Sequence, residues 1–319
     1  MKVAIVGCGG IGRAHALAYN QIDGVEVAFV VDRDPGRAEA LATEVGAEPL
    51  TDLRLLPDSV RVVSVATDPA SHGRLATECL RRGFAVFCEK PLGMTAAEAR
   101  GLVEQAREVG QPLSVGFKMR YEPVFAKARE LVGKVGSIVQ IATTKVQPFA
   151  HRGAGEWRDK VGAMFELSVH DFDLISFITG LRPMKVQAAT LSHRLGWERE
   201  DGFTALVEYE GGAQGALSGC YTLEGKWLAS DFCLTVTGEK GYMRVLRGDR
   251  IVMHTDTYEA VEVEAPGNTF VTELGEFVEA VQDGKEPPIE PEAGYWSTAL
   301  IDGIREAGLG GKAVEISRI

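Results

Sequence analysis

Glu166, His170 and Asp173 lie in the run MFELSVHDFDLISFITG, residues 164–180. If that run is a helix, the three side chains fall at i, i+4 and i+7, on one narrow stripe at the 3.6-residue period. Phe165 and Val169 flank the stripe on one side, Leu167 and Leu174 on the other. Two acids and an imidazole among large apolar groups are costly to bury without a purpose. An imidazole one turn from a carboxylate can accept a proton and pass it on. The blander reading makes His170 a hydrogen-bonded structural residue and Asp173 a support for the loop beneath. His170 and Glu166 also have the spacing of a zinc pair, but no third ligand stands at a telling distance, so no metal is expected.

A second group of residues sits near the start of the chain. Gly7-Cys8-Gly9-Gly10-Ile11-Gly12 follows the apolar run KVAIV and opens a helical pattern. Asp32 ends the next apolar run about 20 residues on, as a dinucleotide-binding turn requires. Gly7 would make the tight turn, Gly9 would admit the pyrophosphate, and Gly12 would let the helix pack closely. The segment from Gly7 through Gly9, Gly10 and Ile11 to Gly12 is thus the expected cofactor-binding loop. A carboxylate at Asp32 suits ribose hydroxyls and favours NAD, whereas Arg33 beside it leaves NADP possible. Further on, Cys88-Glu89-Lys90-Pro91 ends another apolar run. That end of a parallel strand is where ligands bind, although Lys90 reads equally well as a solvated loop charge.

The elements that must position these groups follow from patterning. Over residues 1–120, the runs KVAIVG, VEVAFVVD, VRVVSVAT, FAVFCEK and PLSVGF alternate with helical segments at Arg13–Asn20, Pro35–Val45, Ser71–Arg82 and Ala96–Val109. Strands apolar on both faces and separated by helices predict a doubly wound parallel sheet, that is, an N-terminal Rossmann domain in an α/β protein. Residues 121–319 begin with a helix at Pro123–Leu131 and continue as serial strand-like runs, with turns at Glu210-Gly211-Gly212 and Arg247-Gly248-Asp249. In FTALVEYE, alternate residues are apolar, which predicts a large, mostly antiparallel open sheet with one wetter face. Helical patterns at Phe270–Val281 and Glu292–Ala307 close the chain and can return toward the first domain.

The totals exclude several classes. The chain has 319 residues, enough for about two domains. A net charge of −11 argues against a nucleic-acid or anionic-membrane partner. The sequence opens as a strand rather than a signal peptide, and no apolar run reaches the roughly 18 residues that span a bilayer. The five cysteines are scattered with no CxxC, which suits a reducing, cytoplasmic setting.

Together GCGGIG, the Glu-Lys-Pro at 89–91 and the helix with His170 resemble the glucose–fructose oxidoreductase/inositol dehydrogenase (Gfo/Idh/MocA) family over essentially the whole chain. The resemblance implies that Lys90 takes part in catalysis and substrate binding, that Glu89 and Pro91 help hold the nicotinamide, and that the Lys90–Pro91 bond is cis. It implies that Thr67 and His72 belong to a loop lining the cofactor, with Asp68 where the family usually has proline. Arg120 and Tyr121 resemble the segment beneath the active site, and Trp157-Arg158 the pair before the catalytic helix. The candidate substrate contacts are then Arg120, Tyr121, His151, Trp157 and Asp173; Tyr121, His151 and Trp157 can line a polyol pocket or be core or surface, and Asp173, which retains the last acid of the family's helix pattern, reads equally well as structural. Glu166 stands where that pattern commonly has aspartate, and Ser168 where it has glycine.

The implied activity is hydride transfer between NAD(P) and a secondary alcohol or ketone of a cyclitol, sugar or sugar derivative. His170 would accept the hydroxyl proton, Lys90 would hydrogen-bond the same oxygen, and Glu166 would orient them, with the first two roles exchangeable. Alternatives are a biosynthetic ketosugar reductase, an NAD-using glycosidase, or a dinucleotide sensor without turnover. Relatives usually pair through the open sheet, so a homodimer or homotetramer is expected.

Overall fold

The computed structural model describes residues 1–148, 160–223, 231–246, 248, 250–265 and 267–319. The chain divides into two compact units, Met1–Lys118 with Asn268–Tyr295, and Met119–Gly267 with Trp296–Ile319. No helix among the described residues is long and apolar enough to cross a membrane.

The first unit is a six-stranded sheet in the order β3-β2-β1-β4-β5-β6. Its strands are β1 (Lys2–Val6), β2 (Glu26–Val31), β3 (Glu48–Leu50), β4 (Val62–Val65), β5 (Ala85–Glu89) and β6 (Leu113–Gly116). Every neighbouring pair is parallel. Strand order reverses between β1 and β4. In open α/β sheets the crevice beyond the carboxyl ends at such a reversal is where ligands bind. Helices α1 (Gly10–Tyr19), α2 (Pro35–Val45), α3 (Pro69–Arg81) and α4 (Ala96–Val109) connect the strands. The core sets Val3 and Ile5 of β1 against Ala16 and Tyr19 of α1, with Leu274 and Phe277 from a later helix.

The starts of these helices differ in a way that matters for the site. The Asp34 side chain caps α2, and that of Thr95 caps α4. The α1 N-cap is Gly9, with no side-chain cap and no acidic residue in the first turn. Its leading N–H groups are therefore left to a ligand or to water. The helix also begins at Gly10 rather than near Arg13, so the last glycine of the loop already lies in the first turn.

The second unit carries α5 (Pro123–Leu131), a wide π turn at Met164–Ser168, and α6 (Val169–Thr179). These accompany a nine-stranded sheet in the order β14-β13-β12-β11-β7-β10-β9-β8-β15. The strands are β7 (Ile138–Pro148), β8 (Pro183–Ser192), β9 (Gly202–Tyr209), β10 (Gln214–Leu223), β11 (Asp231–Gly238), β12 (Gly241–Leu246), β13 (Arg250–His254), β14 (Tyr258–Glu262) and β15 (Val314–Glu315). All described pairs are antiparallel except β7 with β10. The turn at Glu210–Gly212 joins β9 to β10, with Gly211 and Gly212 at φ 75° and 86°, a backbone region that favours glycine. Arg247 and Asp249 of the other expected turn lie outside the described residues.

One face of this sheet is covered. Phe203 packs its ring against Phe172 of α6, and Phe232 against Phe125 of α5. On the opposite face, Leu206 of β9 is 49% exposed. It stands in register with Ala216 of β10, which in turn faces Ala142 of β7. The chain closes with α7 (Thr269–Asp283) and α8 (Pro291–Gly310).

Candidate active site

In the first unit the glycine loop has two kinds of glycine. A Cβ on Gly12 would fall 1.7 Å from the Gly7 carbonyl oxygen, and one on Gly7, at φ +100°, would meet Ala66 O at 2.5 Å. These two are needed by the fold itself. A Cβ on Gly9 or Gly10 would meet nothing among the described residues within 4 Å. That open side is a cradle for a phosphate approached by backbone N–H groups at a helix start. Beside it Ile11 is 44% exposed, an apolar surface at the mouth of the loop.

Asp32 borders the cradle. Its Oδ2 accepts from Cys8 N and its Oδ1 from Asp34 N, each at 2.9 Å. Two backbone donors thereby fix the carboxylate at the end of β2, while Arg33 is exposed. Burial, and then the charge of Asp32, push the Cys8 thiol up to about 12, so it remains protonated at neutral pH. The donor set, the uncapped helix start and the open glycines fit a dinucleotide.

Thr67 follows β4, and its hydroxyl lies 2.6 Å from that of Ser71. Asp68 is extended and Pro69 occupies the first turn of α3, so the loop enters the helix directly despite the shifted proline. His72, expected to line the cofactor, is instead buried, at 1% exposure. Its Nδ1 lies 2.8 Å from the Pro91 carbonyl and its Nε2 3.2 Å from that of Thr67. Burial lowers its pKa against the pull of those two carbonyls and of Glu89 and Asp68. The neutral ring has one N–H to donate, and the shorter contact marks Pro91 as its acceptor. His72 therefore ties the β4 and β5 loops together from behind.

Lys90 stands at the carboxyl end of β5, and the Lys90–Pro91 bond is cis. Glu89 turns its side chain inward, where His15 and the Lys90 amide meet it. His15 escaped the sequence reading. The available signal was its place in the stripe Gly12, His15, Ala16, Tyr19, the face of α1 that the sheet buries.

The second unit holds the helix stripe, and the structure divides it. Between residues 161 and 176, Glu166 and His170 are partly exposed, and every other described residue is buried. Asp173 is buried and receives Arg120 in a two-pronged pair, Nε to Oδ2 at 2.9 Å and Nη2 to Oδ1 at 2.6 Å. Both were expected at the substrate. With side chains 7% and 2% exposed, they are a structural clamp between the turn at Lys118–Tyr121 and α6. The Arg120 guanidinium also lies over the Phe177 ring. Tyr121 is half-buried in the same turn, whereas His151 and Trp157 lie outside the described residues.

The uniform helix expected from the spacing gives way to a π turn over the first five residues, Met164–Ser168. Such widened turns recur at functional sites. Lys145, from the covered face of β7, donates to the Leu167 carbonyl at 3.0 Å and to Asp171 at 2.8 Å. Ser168 hydrogen-bonds the buried Tyr221 hydroxyl. Glu200 receives Arg305 at 2.9 Å through both oxygens and also accepts from Met164 N at 3.2 Å. Gly162, at φ +84°, is required here, because a Cβ would meet Glu200 Oε1 at 2.5 Å. Buried pairs thus seat the whole segment and leave Glu166 and His170 presented. Sequence reading missed Lys145, Glu200 and Arg305. Only Lys145 gave a signal, as a charge in phase with Ile141 and Thr143 on the buried face of its strand.

Comparison with known proteins is consistent across both units. The profile described as "Oxidoreductase family, NAD-binding Rossmann fold" matches residues 1–117, and that of the "GFO/IDH/MocA C-terminal domain" matches residues 125–244. An inositol 2-dehydrogenase of Rhizobium meliloti is 29% identical over 197 residues, spanning 59% of this chain and 58% of that protein. A myo-inositol dehydrogenase of Streptomyces leeuwenhoekii is 30% identical over 253 residues, 76% of this chain and 75% of that one. A levoglucosan dehydrogenase solved with NADH superposes with a TM-score of 0.90 at 20% identity, covering 100% of both chains.

Proposed function

The chain belongs to the Gfo/Idh/MocA oxidoreductase family, and from there we propose that it transfers hydride between NAD and a secondary alcohol, or the matching ketone, of a cyclitol or sugar. The observation that carries this reading is the presentation of Glu166 and His170, a carboxylate and an imidazole four residues apart, on an otherwise buried segment. The names of the relatives, inositol dehydrogenases among them, support the substrate class.

Bound NAD supplies the hydride acceptor at its nicotinamide ring. The chain's own residues do the rest. The loop from Gly7 to Gly12 binds the pyrophosphate with helix-start N–H groups, and Asp32 accepts from the adenosine ribose. Lys90 donates a hydrogen bond to the carbinol oxygen, His170 takes its proton, and Glu166 orients the imidazole. General acid–base assistance of this kind contributes about 10²–10⁴-fold in rate.

A screen of NADH absorbance with NAD and NADP against inositols, aldoses, ketoses and anhydrosugars tests the reading. Turnover with a polyol or sugar is expected, and NADH binding without turnover across the panel would overturn it. Lys90→Met should keep NADH binding and lose about 10²-fold or more in kcat. A near-normal kcat would remove Lys90 from its role.

The face of the large sheet carrying Leu206, Ala216 and Ala142 supports pairing of two copies there, as a homodimer or within a homotetramer. Light scattering should give a mass of two or four chains, and a monomer would exclude it.

A further inference from the structure

We infer that His15 and Glu89 form a buried positioning pair that fixes the backbone of Lys90, with Ser64 behind it as the orienting group. The inference rests on the proposed role of Lys90 and extends it inward to two residues that the proton-transfer set does not use.

The geometry runs through four groups of the first unit. Ser64 Oγ of β4 lies 2.7 Å from His15 Nδ1. His15 Nε2 lies 3.1 Å from Glu89 Oε1. The other carboxylate oxygen, Glu89 Oε2, accepts from Lys90 N at 3.1 Å. The carboxylate therefore reaches back to the amide that begins the Lys90–Pro91 turn. The His15 ring is 0% exposed and meets the rings of Phe87 and Phe270 edge-on, at 5.5 and 5.2 Å. Gly116 of β6, in register with Glu89, leaves the space the carboxylate occupies, since a Cβ there would meet Oε1 at 2.8 Å.

A buried imidazole and carboxylate contribute little net stability compared with apolar groups of the same shape. Their value is directional. A side chain that must hold a reacting group is best seated by hydrogen bonds from a rigid second layer, and here that layer is built from β4, α1 and β6.

The titratable groups facing Glu89 are His15 from α1, His72 from α3, and Cys88 and Lys90 beside it on its own strand end. Burial pushes the Glu89 carboxyl up. The hydrogen bond and charge of His15 outweigh that, with Lys90 and His72 adding to them, and the carboxyl ends below its ordinary value. Removing His15 takes away the largest counterweight, so the carboxyl must take up a proton at higher pH.

The test uses His15→Phe, which keeps an aromatic body between Phe87 and Phe270, and His15→Gln, which keeps an N–H toward Glu89. In the full-length protein without NAD, amide exchange at Lys90 should speed up at least tenfold in His15→Phe and in Glu89→Gln, and largely recover in His15→Gln. In turnover assays, His15→Phe should show a new acid limb in the pH profile of kcat, absent from the double variant His15→Phe with Glu89→Gln. KM for NAD should stay within about threefold. Unchanged Lys90 exchange in His15→Phe overturns the inference, as does a kcat profile identical to that of the unsubstituted protein. The exchange measurement needs no turnover. Faster Lys90 exchange in a protein inactive on every substrate would therefore sustain the pair while rejecting the proposed reaction.

Discussion

Asp173→Asn removes the charge opposite Arg120 while keeping the shape of the side chain. Arg120 is then left 8% exposed, its guanidinium seated over Phe177 and facing a neutral amide. Breaking a buried ion pair by removing one partner costs about 3–5 kcal/mol, because the remaining charge keeps its desolvation penalty. A domain of roughly 150–250 residues loses about 2–4 °C in Tm per kcal/mol. The second unit should therefore melt about 6–20 °C lower, read by differential scanning calorimetry as a shift confined to one transition. Replacing both partners with apolar residues, Arg120→Met with Asp173→Leu, should recover much of that loss, because no buried charge is left alone. A substrate-contacting aspartate would behave in the opposite way, with KM rising and Tm holding. A Tm for Asp173→Asn within 2 °C of the unsubstituted protein, accompanied by a raised KM, would refute the structural assignment and return the pair to the substrate.

Three further outcomes follow from the first unit. Gly12→Ala drives a methyl to 1.7 Å from the Gly7 carbonyl and should abolish both NADH binding and the native melting transition; Gly9→Ala meets nothing within 4 Å among the described residues, so its Tm should fall by no more than about 3 °C while NADH fluorescence titration shows binding weakened at least tenfold. His72 has a folded pKa below its ordinary 6.5, so the unfolded chain binds the proton first; stability present above pH 6.5 should decline as pH falls below that value, and urea midpoints of His72→Gln should lack that decline. Asp32→Ala removes the acceptor beside the glycine loop while Arg33 stays exposed, and the ratio of kcat/KM for NADP over NAD should rise at least tenfold; an unchanged ratio would take Asp32 out of cofactor selection.

Local rules make part of the molecule readable from its residues alone. The glycine loop is a backbone motif in which Gly7 and Gly12 answer to sterics within a few residues, so its register is written in the chain. Apolar runs separated by helical patterns announced the parallel sheet, and alternation in residues 203–210 announced the open one. Strand β14 was missed because Tyr258–Glu262 is almost wholly exposed and carries two glutamates, leaving no apolar period to detect. The parallel pairing of β7 with β10 has no local signature either, since a strand's pattern shows which face is buried and not which neighbour it joins.

The helix stripe shows the same division at the scale of side chains. Spacing placed Glu166, His170 and Asp173 together as residues able to do chemistry. Tertiary packing separated them, leaving the first two partly exposed and closing Asp173 onto Arg120, 53 positions away. The partners that seat the segment come from 26 positions away, at Lys145 for Asp171, and from 105, between Glu200 and Arg305. His15 and Glu89, 74 positions apart, meet only because α1 packs on the sheet. The sequence by itself determined the backbone motifs and the residue types available for chemistry, because sterics and periodicity act over a few residues. Only the tertiary structure decided which of those residues are presented and which are clamped, because burial and the choice of a charge's partner depend on segments that folding alone brings together.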